Sequence, residues 1–165
     1  YAELLHRLLP GMVERGYGRV VNVASVSALL PSAKTHTAYS GAMYPGMKGA
    51  LIKLSEALRL EVEGSGVHVS AIAPGYTLSE FHDVNGARGV VSGLPRYWML
   101  SAEQVATAGY WAVESNKPLE VPGSWYKFLC AVTRILPDPV NQAIMRRQAE
   151  KMAQGAKPAA GQPAR

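Results

Sequence analysis

Apolar residues recur at helical spacing over residues 1–15 and again over residues 44–63. Between these segments lies a short and nearly continuous apolar run, residues 19–24, and a second run follows at residues 67–73. Runs of this kind are typical of parallel strands that are buried on both faces of a sheet. The pattern therefore predicts a strand, a helix and a parallel strand joined in a right-handed crossover, preceded by a further amphipathic helix.

The second half of the chain carries weaker periodic signals. Residues 76–100 are rich in glycine, proline and aromatic side chains, and we expect them to form a mobile flap. The remaining expected elements are a capped helix at 101–115, a short strand at 119–122, and helices at 125–135 and 139–153. An apolar stripe is expected to pack in the core or at a dimer interface, and it comprises Trp125, Phe128, Leu129, Val132 and Leu136. Residues 1–153 are predicted to form one α/β unit with C-terminal helices, followed by a disordered tail at 154–165.

Composition and charge narrow the classes of function. The net charge of +5 is spread along the chain without interleaved aromatic residues, which argues against nucleic-acid binding. The single cysteine, Cys130, excludes an internal disulfide, and His6, His68 and His82 share no ligand spacing, so no metal site is expected. No apolar run is long enough for a membrane span. The expected location is cytoplasmic, with association at a membrane surface as the less favoured alternative.

Residues that can carry chemistry cluster at the predicted carboxyl ends of the two strands. Ser25 ends the first strand, Tyr44 and Lys48 lie one turn apart on the following helix, and Pro74-Gly75 closes the second strand. Ligands of open α/β sheets bind beyond the carboxyl ends of the strands. A tyrosine has a usual pKa of about 10 and is a weak base at neutral pH, but a nearby ammonium favours its phenolate form. The arrangement therefore predicts a site for proton transfer.

These residues resemble the second half of a short-chain dehydrogenase/reductase. Asn22-Val-Ala-Ser25 is similar to the strand that ends in the family's active-site serine. Tyr44-Pro-Gly-Met-Lys48 has the family's Tyr-x-x-x-Lys spacing. The resemblance extends from residue 1 to about residue 136, and it implies a partial Rossmann-like, doubly wound parallel sheet.

A second tyrosine competes for the catalytic position. Tyr39 lies closer to the usual distance from Ser25, but the residue four positions beyond it is Met43 rather than a lysine. Pro74 lies 30 residues beyond Tyr44, which is the family's usual distance from the catalytic tyrosine to the Pro-Gly pair. Both spacings favour Tyr44.

The resemblance implies an enzyme that transfers a hydride between NAD or NADP and a ketone or secondary alcohol. In that reaction Tyr44 is the acid or base, Lys48 tunes it, and Ser25 holds the carbonyl oxygen. The residues implied to bind the cofactor are Asn22, Tyr44, Lys48, Pro74, Gly75, Thr77 and Ser79, with Thr77 as the alternative to Ser79 for the nicotinamide carboxamide. Family members commonly pair through the helices that correspond to residues 1–15 and 45–63, which implies a homodimer or homotetramer.

Departures from the family pattern affect the activity and the cofactor binding expected of this chain by itself. The loop between Ser25 and Tyr44 is longer than usual and is expected beside the substrate, and Pro45 is expected in the first turn of its helix. The glycine-rich turn that cradles the cofactor pyrophosphate has no counterpart in these residues. The chain begins at Tyr1 inside a predicted helix, and it is expected to be a fragment that is inactive alone and binds the cofactor poorly. The alternative is a catalytically silent module that interacts through its helices.

Overall fold

The computed structural model describes residues 1–32, 40–78 and 96–155. The strands in these ranges are β1 (Gly18–Val23), β2 (Val67–Ile72), β3 (Thr77–Leu78), β4 (Leu100–Ser101) and β5 (Leu119–Glu120). Three of them form a parallel sheet in the order β1-β2-β5, and its longest ladder begins with Gly18 opposite Val67. β3 and β4 form a separate short parallel pair. The predicted parallel pairing of the two apolar runs is confirmed.

Helices cover both faces of the larger sheet. The α-helices in the described ranges are α1 (Ala2–Glu14), α2 (Ser40–Glu61), α3 (Ala102–Glu114), α4 (Ser124–Ile135) and α5 (Asp138–Gly155). Those that cover the sheet are α1, α2 and α3. On one face, Leu5 of α1 and Leu58 of α2 pack with Val69 of β2 in one apolar cluster. On the other face, α3 brings Gly109 so close to β1 that a β-carbon there would lie 3.3 Å from Val21 Cγ1. The fold is therefore α/β with helices on both faces of a parallel sheet, as the sequence predicts.

The start of α2 differs from the prediction. A loop is expected up to residue 43, but the helix begins at Ser40, so Tyr44 lies in its second turn. Pro45 also lies in the second turn rather than the first, and its missing N–H leaves one intrahelical hydrogen bond unmade. Gly41 and Pro45 are weak helix formers, so a prediction based on helix propensity starts the helix too late.

Two predicted segments fall partly outside the described residues. Of the flap expected at 76–100, residues 79–95 lie outside them, and the flanking parts form β3, β4 and a short 3-10 helix, Arg96–Trp98. Of the tail expected at 154–165, residues 156–165 lie outside them. The helix α5 ends at Gly155, two residues into the range predicted for the tail. Within the described ranges, no helix combines the length and the hydropathy that a membrane crossing needs.

A buried carboxylate connects β5 to α4. Glu120 is 8% exposed, and Lys127 of α4 donates from Nζ to its Oε1 at 2.6 Å. Lys117 bonds to the other carboxylate oxygen, Oε2. Burial alone would raise the pKa of Glu120, but the hydrogen bonds and charges of the two ammonium groups outweigh burial and lower it. The carboxylate is therefore ionised and paired at neutral pH, and it fixes the sheet to the helix that follows.

Replacing Glu120 by Gln should destabilise the protein by about 1–2 kcal/mol at pH 7, because two half-exposed lysines lose their partner. A carboxyl whose folded pKa is lowered contributes stability above its unfolded pKa, and this contribution is lost as the pH falls through the folded pKa. The difference in unfolding free energy between wild type and Glu120→Gln should therefore shrink on acidification. Urea denaturation at a series of pH values measures this difference.

The matched control is Glu3→Gln, which removes a carboxylate paired with Arg7 at the surface of α1. The Glu3 side chain is 79% exposed, so this change should leave the unfolding free energy nearly constant at every pH. A Glu120→Gln deficit that stayed the same from neutral to strongly acidic pH would contradict the assignment.

Candidate active site

Ser25 lies two residues beyond the end of β1, where the chain turns into a short 3-10 helix, Val26–Ala28. Its backbone is extended, with φ −160° and ψ 149°, and its Oγ caps the turn by accepting the N–H of Ser27 at 3.2 Å. The Ser27 hydroxyl donates to the same oxygen at 3.0 Å. Ser25 accepts in both bonds, so its own O–H can donate to an oxygen atom of a ligand.

Tyr44 and Lys48 lie one turn apart on α2, beside the carboxyl end of β1. Lys48 donates from Nζ to the carbonyl oxygen of Val23 at 2.8 Å, and the same Nζ lies 5.8 Å from the centroid of the Tyr44 ring. Burial lowers the pKa of Lys48 from its usual value. The Tyr44 side chain is 41% exposed, so a ligand can reach it. The bond to the strand end holds the ammonium next to an accessible phenol.

The helix and the serine turn pack against each other. Gly49, the residue after Lys48, faces the 3-10 turn, where a β-carbon on it would lie 4.0 Å from the β-carbon of Ala28. The loop after β2 joins the same region, because the N–H of Val26 donates to the carbonyl oxygen of Pro74 at 2.9 Å. Thr77 closes this loop by donating from Oγ1 to the carbonyl oxygen of Gly75 at 3.1 Å. The carboxyl ends of β1 and β2 thus meet the start of α2, as the spacing predicts.

One of the expected cofactor-binding residues lies apart from this group. Asn22 is buried, and its amide donates from Nδ2 to Ser55 Oγ at 2.9 Å on α2. The Ser55 hydroxyl in turn donates to the carbonyl oxygen of Leu51 at 2.7 Å, so the asparagine takes part in the packing of β1 against α2. Ser79 lies outside the described residues, as does Tyr39, the competing tyrosine.

Comparison with known proteins identifies the family. The sequence model of the family described as "short chain dehydrogenase" matches residues 1–88, which include Ser25, Tyr44, Lys48 and the Pro74-Gly75 pair. The chain belongs to the short-chain dehydrogenase family. The predicted family resemblance is therefore confirmed.

Curated short-chain dehydrogenase relatives match most of the chain. The ketoacyl reductase HetN of Nostoc sp. is 33% identical over 147 residues, which cover 85% of this chain and 48% of the relative. The uncharacterized oxidoreductase YbbO of Escherichia coli is 41% identical over 151 residues, which cover 87% of this chain and 54% of the relative. The chain thus spans about half the length of these relatives.

Solved short-chain dehydrogenase structures share the fold. A 7beta-hydroxysteroid dehydrogenase superposes with a TM-score of 0.66 at 20% identity, covering 87% of this chain and 53% of that one. A 3-oxoacyl-[acyl-carrier protein] reductase from Brucella melitensis, solved with bound NAD, superposes with a TM-score of 0.51 at 28% identity. It covers 72% of this chain and 44% of that one. The Rossmann-like class predicted from the sequence is confirmed.

One residue beside the short-chain dehydrogenase motifs is not signalled by the sequence. Tyr126 of α4 is 3% exposed, and its hydroxyl accepts the N–H of Tyr76 at 3.0 Å in the loop after β2. The two residues are 50 positions apart, and neither belongs to a recognisable spacing. A buried tyrosine on a helix indicates only packing until its hydroxyl partner is known.

Proposed function

We propose that the full-length protein containing this chain is an oxidoreductase that transfers a hydride between NAD or NADP and a ketone or secondary alcohol. Tyr44 exchanges the proton, Lys48 stabilises its phenolate form, and Ser25 binds the substrate oxygen. Membership of the short-chain dehydrogenase family supports the oxidoreductase class. The carbonyl substrate is in keeping with the ketoacyl reductase among the relatives.

The observation that carries this proposal is the position of the Lys48 ammonium. Its bond to the Val23 carbonyl fixes it at the end of β1, 5.8 Å from the centre of the Tyr44 ring. The bond therefore keeps the ammonium on the same side of α2 as the phenol. In an exposed helical pair, the lysine would extend into solvent instead of bonding to the neighbouring strand.

The proton path follows from these positions. When the substrate is a ketone, the Tyr44 hydroxyl donates a proton to the oxygen that becomes the alcohol, and Lys48 stabilises the phenolate that remains. In the reverse direction the phenolate accepts the proton of the alcohol. Ser25 donates its O–H to the same substrate oxygen and stabilises the charge that develops there. The nicotinamide supplies or accepts the hydride when it is bound.

The residues at the carboxyl ends of the strands fit the nicotinamide end of such a cofactor. Lys48 offers an ammonium to the ribose hydroxyls, and Thr77 offers a hydroxyl within the loop that begins with Pro74-Gly75. Asn22, Tyr44 and Ser79 complete the proposed set. The Brucella reductase, which was solved with bound NAD, supports a dinucleotide as the cofactor. The part of the cofactor that carries the phosphates would lie on residues outside this chain.

Replacing Lys48 by Met in the full-length protein should lower kcat/KM by about a hundredfold, because the phenolate loses its neighbouring positive charge. The measurement is the change in NADH or NADPH absorbance with a panel of ketones and secondary alcohols. Lys53→Met is the matched control on the same helix, since Lys53 is 79% exposed and pairs with Glu56 rather than with the strand end. The control should retain wild-type rates.

Equal losses in the two lysine variants would show that the charge of the helix, rather than the position of Lys48, matters. A wild-type protein that reduces no ketone and oxidises no alcohol with either dinucleotide would overturn the proposed function itself.

A further inference from the structure

The loop that follows β2 is held by a side chain from a distant helix. Tyr126 of α4 accepts the N–H of Tyr76 at 3.0 Å and donates its own hydroxyl proton to the carbonyl oxygen of Trp98 at 2.6 Å. Burial raises the pKa of Tyr126, so the hydroxyl keeps its proton at neutral pH and can act as donor and acceptor together. One hydroxyl therefore joins the loop after β2 to the 3-10 helix Arg96–Trp98.

The ring of Tyr126 is fitted to the same loop. A β-carbon placed on Gly75 would overlap the Tyr126 ring at Cζ and at both Cε atoms. The φ angle of Gly75 lies outside the left-handed region, so its backbone conformation does not require glycine. The close approach of the ring is the reason why position 75 has no side chain.

Two further bonds attach the loop on its other sides. The N–H of Val26, next to Ser25, donates to the carbonyl oxygen of Pro74 at 2.9 Å. The N–H of Leu100 donates to the carbonyl oxygen of Tyr76, also at 2.9 Å. Residues 74–77 thus lie between the serine turn and β4, with the Tyr126 ring beneath them. Each of these bonds restricts the backbone of residues 74–77, the loop that is proposed to receive the nicotinamide.

We propose that Tyr126 is a positioning residue for the nicotinamide cofactor, acting by holding the backbone of residues 74–77 in its binding conformation. The proposal rests on the proposed function, in which this loop receives the nicotinamide. Tyr126 itself touches the loop backbone and not the reacting atoms. Its contribution should therefore appear in cofactor binding more than in the chemical step.

Amide hydrogen exchange tests whether the hydroxyl holds the loop. Tyr126→Phe keeps the ring and removes the hydroxyl, so the amides of Tyr76 and Leu100 should exchange about tenfold faster. The amide of Val69 in β2 should keep its rate, because the core is untouched. Tyr110→Phe, which removes a hydroxyl from an exposed position on α3, should leave all three amides unchanged. Equal acceleration of Val69, or no acceleration of Tyr76, would overturn the proposal.

Steady-state kinetics of the full-length protein test the consequence for the cofactor. Tyr126→Phe should raise the KM for NADH or NADPH roughly tenfold while kcat changes less than about threefold, because the loop binds ground state and transition state alike. Tyr110→Phe should match wild type in both constants. A fall in kcat at constant cofactor KM would contradict the assigned role.

The exchange and kinetic experiments together distinguish a failure of this inference from a failure of the proposed function. Faster exchange in a protein that binds neither dinucleotide would overturn the proposed function and the cofactor role together, and would leave Tyr126 only as a structural attachment of the loop. Unchanged exchange in a protein that binds a dinucleotide and turns over ketones would overturn the inference alone.

Discussion

Tyr44→Phe should remove nearly all turnover from the full-length protein, by about a thousandfold or more in kcat. The change deletes only the hydroxyl oxygen, and the bond between Lys48 and the Val23 carbonyl does not involve it. The loss should therefore appear in the chemical step, with the affinity for NADH or NADPH altered less than about threefold. Stopped-flow measurement of hydride transfer, together with a cofactor titration, separates the two quantities.

The control for this prediction is Tyr39→Phe. Tyr39 is the alternative catalytic tyrosine by its distance from Ser25, but it lacks the lysine four positions later. We expect this variant to keep most of its activity. If Tyr39→Phe were the inactive variant and Tyr44→Phe an active one, the assignment of the proton donor would be wrong.

The core of the fold could be predicted because its signals are local. The apolar runs at 19–24 and 67–73 are the strands β1 and β2 within a residue at each end, and the helical stripe between them is α2. A parallel pair needs a crossover of this length, which left few other topologies. The start of α2 was the exception, since the glycine and proline near it oppose its helical conformation.

The buried face of α4 could not be predicted in the same way. The expected stripe includes Phe128, which is 59% exposed, whereas the deeply buried positions are Tyr126 and Cys130. Tyr126 can be buried without an unpaired hydroxyl because that hydroxyl has backbone partners 28 and 50 residues away in the chain. Such partners are created by the tertiary fold, so no periodic pattern in the helix itself indicates them.

The spacings in the sequence predict which residues form the candidate site, and the structure adds the contacts between them. The four-residue spacing placed Lys48 near Tyr44, but the bond to the Val23 carbonyl depends on how α2 packs on β1. The same packing engages the Asn22 amide with Ser55. The cofactor-binding role of Asn22 stays a prediction, and so do the role of Ser79 and the homo-oligomer expected through α1 and α2.

Gly75→Ala should destabilise the protein by about 3 kcal/mol, because the added methyl group would overlap the buried Tyr126 ring. The ring cannot retreat without giving up its hydrogen bonds to Tyr76 and to Trp98. Urea denaturation measures the loss. The matched control is Gly46→Ala on α2, where the new β-carbon would meet no described atom within 4 Å beyond its chain neighbours and the helix's own backbone.

Gly46→Ala should instead stabilise the protein by about 0.5–1 kcal/mol, since alanine favours the helix and nothing opposes it. The cause of the Gly75→Ala loss can be isolated with Tyr126→Leu, which replaces the ring by a smaller side chain. In that background, Gly75→Ala should cost at least about 1 kcal/mol less than in wild type, because the overlap is relieved. Strictly additive effects of Gly75→Ala and Tyr126→Leu would show that the Tyr126 ring is not what excludes a side chain at position 75. Equal effects of Gly75→Ala and Gly46→Ala would show the same.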